Sequence, residues 1–113
     1  MQYLLMICRD EGAEPDPEFD MAAATEAWVK EMDGRGVRLL GNRLRPVENA
    51  TTVRTRSGDV LISDGPFAET KEQMLGFDVI ECADLDEAIE VAAKHPVATF
   101  GMIEVRPFWP AEE

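Results

Sequence analysis

An eleven-residue polar stretch, Asp64 to Met74, is caught between two short apolar runs and constrains the chain more than any other segment. Val60-Leu61-Ile62 runs into Asp64-Gly65-Pro66, and the chain re-enters an extended pattern at Gly76-Phe77-Asp78-Val79-Ile80. A loop pinned by strands on both sides requires a sheet that brings the two runs close together. Polar residues held on a rigid support in this way are common places for function.

The other segments supply the rest of the sheet and its cover. Residues 2–8 are short and apolar, as a buried strand is. Asp16-Pro17-Glu18 reads as a helix start, with an Asp cap, Pro at the first helical position and acids near the positive end of the dipole. The helix is expected to run to about Asp33, with Met21, Thr25, Trp28 and Met32 on one stripe. Residues 37–44 return as a strand, and residues 51–63 read as a hairpin turning at Ser57-Gly58-Asp59. Residues 76–82 form another strand. Asp84, with Glu87 three residues on, opens a second helix expected to end at His95, with Leu85, Ala88, Ile89 and Ala92 inward. Residues 100–108 alternate as the last strand. The order is β-α-β-(hairpin)-β-α-β, which predicts a single-domain, ferredoxin-like α+β fold with both helices on one sheet face. Leu4, Met6, Phe77, Val79, Ile103 and Val105 supply apolar residues for both faces, so a homodimer burying the open face is expected.

Charge excludes some functions. The formal net charge of −12 opposes a nucleic-acid backbone, because phosphate affinity comes from basic residues displacing counterions. No apolar run reaches the ~20 residues a membrane-spanning helix needs, and the reading is a soluble, cytoplasmic protein without membrane contact. Cys8 and Cys82 lie in strand patterns and read as buried thiols rather than a bridge. One His and these cysteines do not make a zinc site, and no cofactor motif is present.

The charge is unevenly spread. Residues 10–20 hold six acids, whereas residues 35–56 hold six Arg against the single acid Glu48. Arg suits a carboxylate because its planar fork donates two parallel hydrogen bonds. Arg43 and Arg45 share one strand face, and Arg54 and Arg56 share another. If those faces converge they form an anion pocket; if not, they are solvated surface. The Asp64 turn also has two readings. Asp64 and Gly65 can simply build a turn over Phe67, or Asp64 can act as a proton acceptor with Lys71 beside it. His95 reads either as a partly positive group at the end of the second helix or as a catalytic titrating group.

The string Asp64-Gly65-Pro66-Phe67-Ala68-Glu69-Thr70-Lys71-Glu72-Gln73, with Gly76-Phe77, the opening Met1 to Ile7, Ala83 to Ala88 and Ile103 to Pro107, resembles the DGPF branch of the YCII-related superfamily. The resemblance implies a dimeric α+β barrel with a cleft. It also implies one of two roles: dehydrochlorinase-like breakdown of chlorinated aromatics, or association with extracytoplasmic-function sigma factors. The superfamily pattern pairs a His on the first helix with an Asp in an Asp-Pro step after the second. Here the helix reads Thr25-Glu26-Ala27-Trp28 and the step reads His95-Pro96, so that pair is absent as such. Two functions follow. One is a homodimer binding a small organic acid, with lyase- or isomerase-like proton transfer by Asp64, Lys71 and His95 and a carboxylate held by Arg43, Arg45, Arg54 and Arg56. The other is a non-catalytic regulatory module engaging a protein such as a sigma factor.

Overall fold

The computed structural model of the chain describes residues 1–65 and 72–110. Among the described residues six strands and two helices follow the expected order: β1 (Gln2–Asp10), α1 (Met21–Gly34), β2 (Arg38–Arg43), β3 (Thr51–Arg56), β4 (Asp59–Asp64), β5 (Glu72–Glu81), α2 (Leu85–Ala93) and β6 (Met102–Pro107). Short 3-10 turns precede β3 at Val47–Asn49 and precede β6 at Pro96–Thr99. The main sheet is antiparallel with strand order β2-β5-β1-β6, and β3 and β4 form a separate hairpin in the connection from β2 to β5. This is the ferredoxin-like α+β arrangement. No helix among the described residues is long and apolar enough to cross a membrane.

Strand periodicity sorts the sheet into two faces. Tyr3, Leu5, Ile7 and Ile80 point to the helices and are buried. They pack with Trp28 and Met32 from α1, Ala88, Val91 and Ala92 from α2, and Val97. Leu4, Met6, Phe77 and Val79 alternate with them on the opposite face and are only half-buried. Cys82 lies on the helix side, and burial pushes its thiol up to about 11. Cys8 is half-buried.

Two helix boundaries depart from the sequence reading. α1 starts at Met21, with Asp20 as its cap accepting from Ala23 N at 3.0 Å. The Asp16 carboxylate instead accepts from Glu18 N at 2.9 Å, two residues on, which closes a local turn rather than capping a helix. Residues 16–20 are exposed, so no packing rewards helix there. The stripe behind them is as expected, with Trp28 and Met32 fully inside.

α2 keeps its Asp84 cap, which accepts from Glu87 N at 2.9 Å while the Glu87 carboxylate accepts from Ala83 N at 3.0 Å. It ends at Ala93, because Pro96 crowds the preceding residue out of the helical region. His95 is accordingly extended, with φ −70° and ψ 132°, and it caps the 3-10 turn that follows. The buried stripe of α2 is Ala88, Val91 and Ala92; Leu85 and Ile89, expected inside, are half exposed at 50% and 51%.

Candidate functional site

A cavity of about 1260 Å³ opens between α1, β2 with the segment after it, and the first half of β5. Trp28 forms its deep wall. The Trp28 Nε1–H donates to Val91 O at 3.0 Å, which ties α1 to α2 and fixes the ring. The ring meets His95 edge-on, with centroids 4.7 Å apart and planes at 63°.

His95 is only 4% exposed. Its Nδ1 accepts from Val97 N at 3.1 Å, so the neutral ring carries its proton on Nε2. Burial lowers its pKa to about 4, which keeps it neutral across the physiological range. This corrects the partly positive helix-end His of the sequence reading: the ring is interior, and the dipole it caps belongs to a 3-10 turn at its N-terminal end. Nε2–H has no acceptor among the described residues, and His95 lines the cavity. With Nδ1 occupied, the ring can offer one hydrogen bond to an oxygen in the cavity.

Asp78 comes from β5. It faces the helices because Ile80, two residues on, does so. Arg38 Nε donates to Asp78 Oδ1 at 2.8 Å, and Arg38 Nη1 reaches Asp33 at 3.4 Å. Burial pushes the Asp78 carboxyl up, and the Arg38 hydrogen bond and charge pull it back. Gly41 lies opposite Asp78 in the β2–β5 register, and a Cβ there would collide with the carboxylate. Glycine at 41 therefore makes the space that Asp78 fills.

Three further arginines line the cavity: Arg9, Arg43 and Arg45. Arg9 Nε is sealed from solvent without an acceptor among the described residues, and the one hydrogen bond its guanidinium makes to them is a long 3.5 Å contact from Nη1 to Ala13 O. A sealed donor without a partner is uncommon. Arg43 and Arg45 are exposed at the rim and make no ion pair with any described residue. Glu48 and the Glu26–Lys30 pair complete the charged lining.

The cavity thus brings together Arg43, Arg45 and His95 from the residues singled out in the sequence. Arg54 and Arg56 stand on β3 outside the lining, with Arg56 Nη1 donating to Thr55 O at 3.0 Å. Asp64 ends β4, exposed and outside the lining, and Lys71 lies outside the described residues. The turn at Gly65 has φ +90°, and it is held by Gly65 N to Ala50 O and Thr52 Oγ1 to Gly65 O, each at 2.7 Å. No described residue is a hydrogen-bond partner of the Asp64 side chain. Sequence reasoning passed over Arg9, Arg38, Gly41 and Asp78. The signal for Asp78 was present: an acid two residues from Ile80 in a strand must share the inward face. Among the described residues no group of three or more His, Cys, Asp or Glu side chains could hold a metal ion.

The YCII-related domain model matches residues 1–112. The chain belongs to the YCII-related family. An uncharacterized protein of Rhizobium meliloti (strain 1021) is 42% identical, over 75% of this chain and 82% of the relative. A solved structure with the same fold is 5-chloro-2-hydroxyhydroquinone dehydrochlorinase (TftG) from Burkholderia phenoliruptrix AC1100, in complex with 2,5-dihydroxybenzoquinone. It superposes with a TM-score of 0.52 and 16% identity, covering 99% of this chain and 97% of that one. In this YCII-related chain the first helix and the residue before the proline that follows α2 meet in space, as Trp28 against His95.

Proposed function

We propose that the chain is a cytoplasmic, DGPF-type member of the YCII-related family that binds a small organic acid in the cavity beside α1. The reading rests on one observation. Arg9, Arg43 and Arg45 line a single cavity without carboxylate partners among the described residues, in a protein of net charge −12. Such a pocket attracts an anion that the rest of the surface repels. Arg43 and Arg45 offer paired donors to a carboxylate, and His95 Nε2–H offers a hydrogen bond to a neighbouring oxygen of the same molecule. Those functions suit a carboxylate next to a carbonyl or enol, and the reaction class that uses them is lyase- or isomerase-like proton transfer. A structural neighbour that binds 2,5-dihydroxybenzoquinone supports a small oxygenated ligand of this kind. The test is an NMR titration of the protein with 2-oxobutanoate, phenylpyruvate and 2-oxoglutarate in turn. Shifts confined to Arg43, Arg45 and the His95 ring support the reading, and shifts scattered over the acidic surface or absent altogether refute it.

We infer further that the working form is a homodimer. Leu4, Met6, Phe77 and Val79 leave an apolar sheet face without a helix over it. Val53, Val60, Leu61 and Ile62 of the hairpin are 62%, 63%, 47% and 68% exposed. A stable interface over these residues should bury more than about 1,200 Å² in total. Sedimentation as a monomer at micromolar concentration would exclude it. The same exposed hairpin is what favours the second reading, a regulatory module that engages another protein such as a sigma factor. A monomeric protein with no affinity for small acids would favour that reading.

A further inference from the structure

We propose that Asp78 is the proton acceptor of this cavity, so that the site is catalytic and not only a binding site. The inference rests on the organic-acid reading above and adds a reaction to it.

Four observations carry it. Asp78 is a buried carboxylate, 7% exposed, on the cavity lining. Its Oδ1 is engaged by Arg38 Nε at 2.8 Å, which fixes the orientation of the group. Its Oδ2 accepts no hydrogen bond from any described residue, on a side chain that lines the cavity. Gly41 stands directly across β2, where any larger residue would displace the carboxylate. A structural ion pair would need the Gly41 clearance too, since that space is taken by the Arg38-bound oxygen, but it does not need an unengaged oxygen. A general base needs both, together with a fixed geometry and a carboxyl raised toward the operating pH. Burial raises Asp78 in that direction. Asp64, the base expected from sequence, is exposed and outside the cavity.

The register places the ligand. Arg43 lies two residues along β2 from Gly41, about 7 Å at ordinary strand rise. A carboxylate held at Arg43 and Arg45 therefore sets the next carbons of a small acid toward Asp78. Asp78 Oδ2 takes a proton from the carbon beside the ligand's carbonyl. The C–H bond breaks and an O–H bond forms on Asp78. The C–H electron pair becomes the carbon–carbon π bond of an enolate, and the carbonyl π pair moves onto oxygen. His95 Nε2–H hydrogen-bonds that oxyanion. Return of a proton from Asp78 to the same carbon restores the acid, and return to another carbon of the conjugated system isomerises it. No oxidant or reductant enters. Arg38 is a positioning residue, acting only through Asp78.

The experiment follows hydrogen exchange into a 2-oxo acid. Wild type, Asp78→Asn and Gly41→Ala are incubated in D2O with 2-oxobutanoate, phenylpyruvate or 2-oxoglutarate. Loss of the C3 proton signal is followed by NMR, and binding is measured separately by calorimetry. Asparagine keeps an oxygen for Arg38 but is no base, so Asp78→Asn should bind the acid while exchange slows by about 100-fold or more. Gly41→Ala, which keeps the charge and shifts the carboxylate, should also bind and exchange slowly. If the wild type binds an acid but gives no exchange above buffer, the proposal fails and the binding site stands. The same holds if both variants exchange within threefold of it. If none of the three acids binds the wild type, the organic-acid reading fails and the role of Asp78 falls with it. Should Asp78→Asn not fold, Gly41→Ala decides alone by the same thresholds.

Discussion

The cavity beside α1 and the β3–β4 hairpin each carry a pair of arginines two residues apart, Arg43 with Arg45 and Arg54 with Arg56. In sequence the pairs are indistinguishable. In the fold one pair looks into a cavity that also holds Arg9, His95 and Asp78, and the other stands outside that lining on a hairpin whose second strand is exposed at all six residues. The difference is made by what lies across the sheet. β2 pairs with β5, whose inward Asp78 and Ile80 belong to the core side, whereas β3 pairs, among the described residues, with β4 alone. A cation acquires a chemical role from buried neighbours, and the hairpin offers none.

The largest effect should come from removing the wall of the cavity. Trp28→Ala deletes a buried ring, its hydrogen bond to Val91 O and its contact with His95. A loss of about 3–5 kcal/mol is expected in urea denaturation. A loss below about 1 kcal/mol would mean that the cavity is not held as described.

Next comes pH. His95 is neutral in the fold, with a pKa of about 4, against an ordinary 6.5 when unfolded. The unfolded state therefore takes up the proton first as pH falls. Stability should be full above about pH 6.5, decline as pH drops toward about 4, and lose about 3 kcal/mol from this residue across the window. His95→Gln should flatten that part of the stability curve, and an unchanged curve would place the ring in solvent. The hairpin, which has no buried titrating group among its described residues, should contribute no such dependence.

A smaller effect is expected at Gly41. A methyl group there meets the Asp78 carboxylate and lies 2.8 Å from Phe77 O. Gly41→Ala should cost about 1–3 kcal/mol, read as a lowered denaturation midpoint. The smallest belongs to the hairpin. Arg54→Ala with Arg56→Ala should change stability by no more than about 0.5 kcal/mol, and a larger loss would show that the hairpin arginines have partners after all.

Much of the fold was legible because its signals are local. Strand alternation, the Asp84–Glu87 cap and the Trp28–Met32 stripe each declare themselves within a few residues. The start of α1 was misplaced because two Asp residues, Asp16 and Asp20, both look like caps, and only packing from Met21 onward decides between them. The His95-Pro96 step marked the end of α2, but not that the ring turns inward against Trp28. Asp78, Gly41 and Arg38 gain their meaning from cross-strand register, which joins residues about forty positions apart, and Arg9 gains its own from being sealed without an acceptor among the described residues. Neither property is written in any short stretch of sequence.

The most direct measurement compares the two arginine pairs in one assay. Calorimetric titration of 2-oxobutanoate into wild type, the Arg43→Ala/Arg45→Ala variant and the Arg54→Ala/Arg56→Ala variant separates cavity from hairpin. Affinity should fall at least about tenfold in the first variant, a loss of about 1.4 kcal/mol or more, and stay within twofold of wild type in the second. Equal loss in both variants, or retained affinity in the first, would contradict an anion site in the cavity beside α1.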